Sequence, residues 1–179
     1  MKRKIRKVKN SVNHITYVID LGIKYSELTG YRVCYDPSYC FDQEVMFAGT
    51  FVDLEDKSKS VIVFDDFFLI LPEEVRLDVL MHEVGHIETG AHGENISHTD
   101  KEIMSDIYAA KRRGIRGYIN RRPQLMKIYQ MVADIVGTKI DDERFEYEEK
   151  LIAILNKLVI EDKNVGINEI TIIKDTLRN

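Results

Sequence analysis

The chain has 179 residues, 44% of them hydrophobic, and a formal net charge of −4, which suits one domain with a sizeable core and leaves little for a second. The charge is uneven: Lys2, Arg3, Lys4, Arg6, Lys7 and Lys9 crowd the first nine residues, leaving 20 basic against 30 acidic residues, a net of −10, for the rest. An acidic body argues against nucleic acid as the main partner, and no uninterrupted apolar run approaches the roughly 18 residues of a membrane span.

The basic start looks like the opening of a signal peptide, but His14, Asp20, Lys24 and Glu27 interrupt the segment that would have to be apolar. A cytosolic protein is expected, with residues 1–9 a flexible, solvated arm; the spacing of Cys34 and Cys40 is compatible with a disulfide or with two reduced thiols, and the absence of a secretory signal favours the thiols. From about Asn10 to Leu28, Val12, Ile15, Val18, Ile19 and Ile23 recur at helical spacing, and Gly30 follows as a stop. Short runs rich in β-branched and aromatic residues come next, at 31–35, 45–53 and 60–64. The polar turn 55–59 makes a hairpin of the last two, while Phe67 to Leu71 reads as another short strand or an apolar loop.

From Pro72 onward the pattern is helical, with helices expected near 72–89, 99–113, 121–136 and 142–161 and with Gly90, Gly114 and Gly137 at their ends. The tail from Val165 to Leu177 fits a strand or a short helix. The expected fold class is α+β: a small N-terminal sheet with a first helix, then a motif-bearing helix and a helical C-terminal part over residues 115–179, all in one domain.

The chemistry concentrates in His82-Glu83-Val84-Gly85-His86. Pro72 at the first turn and Glu73 and Glu74 beside the positive end of the dipole mark the start of that helix clearly. At 100° per residue, Val75, Val79, His82 and His86 fall within about a 60° arc. The two histidines therefore take core positions on an inward face, four apart, where both can aim a ring nitrogen at one ion. A zinc ion lowers the pKa of a bound water from about 15.7 toward about 7, and Glu83 is placed to take its proton.

Two histidines leave a catalytic zinc one protein ligand short. Glu102 is the preferred third ligand, with Asp106 on the same face at i+4 accepting the other ring N–H of one histidine; aspartate is a poor residue for mid-helix and wants such an explanation. Thr99-Asp100-Lys101-Glu102 also fits a capping box, in which Glu102 would bond backbone N–H groups. His92, six residues beyond His86, is the alternative third ligand; the metzincin pattern that uses this spacing has glycine where this chain has Thr89.

Residues 72–110, with His-Glu-Val-Gly-His followed by Glu-x-x-x-Asp on a second helix, resemble the gluzincin metallopeptidases, and the first 115 residues are similar in outline to the small ImmA/IrrE-type peptidases that cleave repressors. The resemblance implies a zinc-dependent endopeptidase acting on a cytosolic protein or peptide, with His82, His86 and Glu102 as ligands, Glu83 as base and Asp106 behind a ligand. A rival of another class is a protein-binding or regulatory module that keeps the fold without hydrolysis. A third reading, nucleic-acid binding through the basic clusters, sits poorly with the acidic body.

Other residues are less specific. Tyr108, His98 and the basic residues after Ala110 are candidates for stabilising an oxyanion, although Tyr108 reads more simply as a packed aromatic. Lys111, Arg112, Arg113, Arg116, Arg121 and Arg122 suggest salt bridges to the acidic stretch from Asp141 to Glu149. The strands at 45–53 and 60–64 are candidates for an edge along which an extended substrate pairs. The helices after Gly114 carry no catalytic motif.

Overall fold

The computed structural model describes residues 2–38, 47–90, 96–140 and 142–161, with side chains from Asn13 to Ile160. The fold is α+β and mostly helical. Its elements in chain order are α1 (Lys2–Thr29), β1 (Arg32–Tyr35), β2 (Ala48–Phe51), β3 (Val61–Phe64), α2 (Asp66–Leu69), α3 (Glu73–Glu88), α4 (His98–Arg113), α5 (Ile115–Val136) and α6 (Asp142–Glu161). His92, Cys40 and the tail after 161 lie outside the described residues, so the alternative ligand, the cysteine pair and the last segment are not placed.

The three strands form one mixed sheet in the order β1-β3-β2. β3 is central, parallel to β1 with Val33 opposite Ile62, and antiparallel to β2 with Thr50 opposite Ile62. Its run Val-Ile-Val-Phe suits a strand covered on both faces, and Ile62 and Phe64 are fully buried. The expected hairpin between β2 and β3 is present, its connection wound into a 3-10 turn at Lys57–Lys59 that Asp56 caps. Among the described residues, β2 is an outer strand of the sheet.

α1 packs on β1 through Val18, Leu21 and Tyr25, and Ser26 Oγ accepts the Val33 N–H at 2.9 Å. The helix begins at Lys2 instead of Asn10: lysine and arginine are good helix formers, and nothing in residues 2–9 breaks a helix. The segment 67–71 is neither strand nor loop. Asp65 accepts the Phe68 N–H at 3.0 Å and caps the single turn of α2, which turns Phe68 and then Leu71 into the core.

The sheet, α1, α2 and α3, with Leu125 and Val132 of α5, enclose one core; α4, α5 and α6 enclose a second around Ile103, Ile107, Tyr118, Leu151 and Leu155. α5 starts at Ile115, six residues earlier than expected, because one residue, Gly114 at φ 82°, makes the whole joint with α4. That backbone is cheap for glycine and costly for other residues. Tyr118, fully buried, anchors the added turns. No described helix is long and apolar enough to cross a membrane.

Candidate metal centre

α3 is built as expected, with Glu73 and Glu74 in its first turn and Val75, Leu80, Val84 and Ile87 buried. His86 is 8% exposed and Glu83 6%, so the motif lies at the base of a cavity of about 720 Å³ and not on an open helix face. α4 crosses α3 at Gly85. A Cβ there would lie 2.7 Å from both the Cα and the backbone oxygen of Ser105, closer than real contacts allow. The absence of a side chain at Gly85 thus lets the two backbones touch between Glu102 and Asp106.

That approach brings the three expected ligands together. Nε2 of His82, Nε2 of His86 and a carboxylate oxygen of Glu102 lie within 4.8 Å of one another. The separations are 3.0 Å between the two ring nitrogens, 3.2 Å from His82 to Oε2 of Glu102 and 3.4 Å from His86 to its Oε1, so the two histidines approach different oxygens of the carboxylate. Ligands about 2.0 Å from a tetrahedral ion stand about 3.3 Å apart, and these spacings are compatible with such a site. The cluster is compatible with zinc, and imidazole and carboxylate donors also accept other divalent ions.

Glu102 is a member of the cluster and not a capping residue. The cap of α4 is Ser97, whose hydroxyl oxygen accepts the Asp100 N–H at 3.1 Å. This is two residues earlier than the Thr99 box, and it places Glu102 in the second turn, facing α3.

Asp106, 2% exposed, accepts the Nδ1–H of His82 at 2.7 Å and so turns Nε2 toward the cluster. Tyr118 donates its hydroxyl to the same oxygen, Oδ1, at 2.5 Å, Arg122 reaches Oδ1 at 3.4 Å, and Tyr147 donates to Oδ2. Arg122 in turn is paired with Glu148, one bond at 2.8 Å, in a buried α5–α6 ion pair. The helices after Gly114 therefore do have a part in the site: they supply the shell behind Asp106. One expected salt bridge to the acidic stretch, Arg122 with Glu148, is present. Arg113 and Arg121 instead bind Asp78 of α3.

Charge and burial oppose one another throughout. Burial pushes the Asp106 and Glu102 carboxyls up, but the cations outweigh it: Arg122 and His82 hold Asp106 far below the usual carboxylate range, and His82 with His86 brings Glu102 down to about 2. His82 is raised well above an ordinary imidazole, since Asp106 and Glu102 overcome the cost of burying its charge. Glu83 goes the other way. Burial raises it, against the charge of His82 and a hydrogen bond at 2.7 Å from the Thr50 hydroxyl on β2.

Among the oxyanion candidates, His98 stands on the cavity rim with Nε2 3.9 Å from Glu102, while Tyr108 packs against the core under the Arg112 guanidinium and does not line the cavity. Compared with family models, with curated proteins and with solved structures, the chain matches none.

Proposed function

We propose that the chain is a zinc-dependent endopeptidase of gluzincin type, acting in the cytosol on a protein or peptide. The observation that carries this reading is the convergence of His82, His86 and Glu102 beside the buried carboxylate of Glu83 in one cavity. A zinc ion held by the three ligands would acidify a water molecule and polarise a substrate carbonyl. Glu83, adjacent in sequence to a ligand and buried, would accept a proton from that water and return it to the leaving amine. Asp106 fixes the His82 tautomer, and the α5–α6 shell fixes Asp106. The outer strand β2, whose Ala48, Gly49 and Thr50 line the cavity, offers an edge along which an extended peptide can lie.

The test is metal content by mass spectrometry, with hydrolysis of a labelled casein measured in parallel. About one zinc per chain, lost in His86→Ala and Glu102→Ala and kept in His92→Ala, is the expected pattern, with casein cleavage abolished in Glu83→Gln. A wild-type protein that cannot be loaded with zinc sinks the reading. A protein that binds zinc and cleaves nothing favours a regulatory or binding module on the same fold.

A further inference from the structure

The cavity contains one arrangement that the ligand set does not explain. Glu83 is 6% exposed, and a carboxylate so placed requires a hydrogen-bond donor to hold it in one orientation. Thr50 supplies one from across the helix–sheet boundary: its Oγ1 lies 2.7 Å from Glu83 Oε2 and 3.2 Å from the Glu83 backbone oxygen. The single hydroxyl proton belongs to the shorter, charge-assisted contact. Of the residues Ala48–Phe51 in β2, Thr50 alone has a polar side chain. Its β-branched side chain is stiff at χ1, so the strand backbone itself aims the hydroxyl. Valine would satisfy the strand equally well, so the strand itself does not call for the hydroxyl.

From this geometry we infer that Thr50 is a positioning residue for Glu83: its hydroxyl occupies Oε2 and leaves Oε1 as the oxygen that takes a proton at the metal cluster. The inference rests on the peptidase reading and goes beyond it in one respect. The residue that orients the base belongs to the outer strand along which a peptide would lie, so seating a substrate and aiming the base are mechanically joined.

The test uses the full chain loaded with cobalt in place of zinc, so that the visible spectrum reports the metal environment, and acetohydroxamic acid as the probe. The probe would bind the cobalt as the hydroxamate anion and give its O–H proton to the free Glu83 oxygen, so its affinity should depend on how that carboxylate is held. Thr50→Val should weaken acetohydroxamate by about tenfold, the size of a hydrogen bond to a charged group, with cobalt affinity unchanged and a modest fall in melting temperature, since a buried acceptor loses its donor. Thr50→Ser, which restores the hydroxyl, should recover most of the loss, and Thr50→Ala, carried alongside, should match the valine variant.

Valine and alanine variants that bind acetohydroxamate as tightly as wild type overturn the inference. Glu83→Gln separates the two levels. If it weakens the probe and Thr50→Val does not, Thr50 is wrong and the base assignment survives. If Glu83→Gln has no effect, or the chain takes up no cobalt, both fall together.

Discussion

Two aspartates buried in helices face one another in their chemistry. Asp78 on α3, 4% exposed, is held by two arginines: Arg121 through two bonds of 2.5 and 2.7 Å and Arg113 at 3.2 Å. Asp106 on α4, 2% exposed, receives two phenols, an imidazole and only one guanidinium, at 3.4 Å. A carboxylate answered by two full positive charges is a closed clamp, and it serves to pin α3 to α4 and α5. Asp106 has one permanent cation, Arg122, and its second, His82, is charged only while it keeps the proton that a metal would displace. Through the Nδ1–H bond Asp106 raises the basicity of the His82 ring nitrogen that faces the cluster. Equal burial therefore tells little about role; the charge of the partners tells more.

The sharpest way to break the comparison is to remove each carboxylate. Asp106→Ala should weaken zinc by about 100-fold, the upper end for partners behind a ligand, in a competition titration against a chromogenic chelator. Asp78→Ala should leave zinc affinity nearly unchanged and cost roughly 1–3 kcal/mol in urea unfolding. That is less than for a fully buried pair, because the Arg113 and Arg121 side chains stay 23% and 22% exposed. Equal zinc affinities in the two variants would erase the distinction.

Gly85→Ala should come next. The added methyl must push Ser105 away, at roughly 1–3 kcal/mol of stability for an overpacked contact, and the short Asp106 and Glu102 side chains cannot follow. Zinc affinity should fall by about tenfold, by analogy with lost support behind a ligand, whereas the long arginines on Asp78 adjust. A variant with a lowered melting temperature and undiminished zinc binding would show that the helix crossing does not set the ligand geometry.

The effect of pH has a fixed sign. His82 is held protonated by Asp106 and Glu102, so zinc must displace that proton, and affinity should fall by at most about tenfold for each unit of acidification below the folded pKa. Without added metal the sign reverses. The proton on His82 stabilises the fold fully below the unfolded imidazole pKa of about 6.5 and is lost as pH rises through the raised folded value. Melting curves from pH 5 to 9, with and without zinc, should therefore slope in opposite directions.

Much of this was legible in the sequence. His82, Glu83, His86, Glu102 and Asp106 lie on two helices whose periodicity aligns them, and the i, i+4 rule puts each pair on one face. The strands and most helix bodies followed from the same periodicities. Thr50 was not legible, because its partner is set by how the sheet sits on α3, which no local pattern encodes. Gly85 sat inside the motif as an unremarked spacer. Arg122 and Glu148 do carry a signal in the sequence: Tyr118, Arg122, Leu125 and Tyr129 fall on one stripe of α5, and Glu148, Leu151 and Leu155 on one stripe of α6. A charge in the middle of an apolar stripe predicts a buried partner of opposite sign. The early start of α5 is hidden by Gly114 and Gly117, since two glycines three apart weaken a helical pattern.

The Gly114 corner has a mechanical meaning. α4 carries Glu102 and Asp106, α5 carries Tyr118 and Arg122, and one residue joins the two rods. Glu102 stands twelve residues from that corner, an arm of about 18 Å, so a change of five degrees in the angle would carry it about 1.5 Å, half the spacing between ligands. The fold answers this leverage with braces near the corner and along the arms: Arg113 and Arg121 grip Asp78 on either side of the joint, and Tyr118 and Arg122 tie α5 back to Asp106. The arginines that looked like a basic patch are the gussets of a set square, and the accuracy of the metal centre depends on how stiffly they hold its angle.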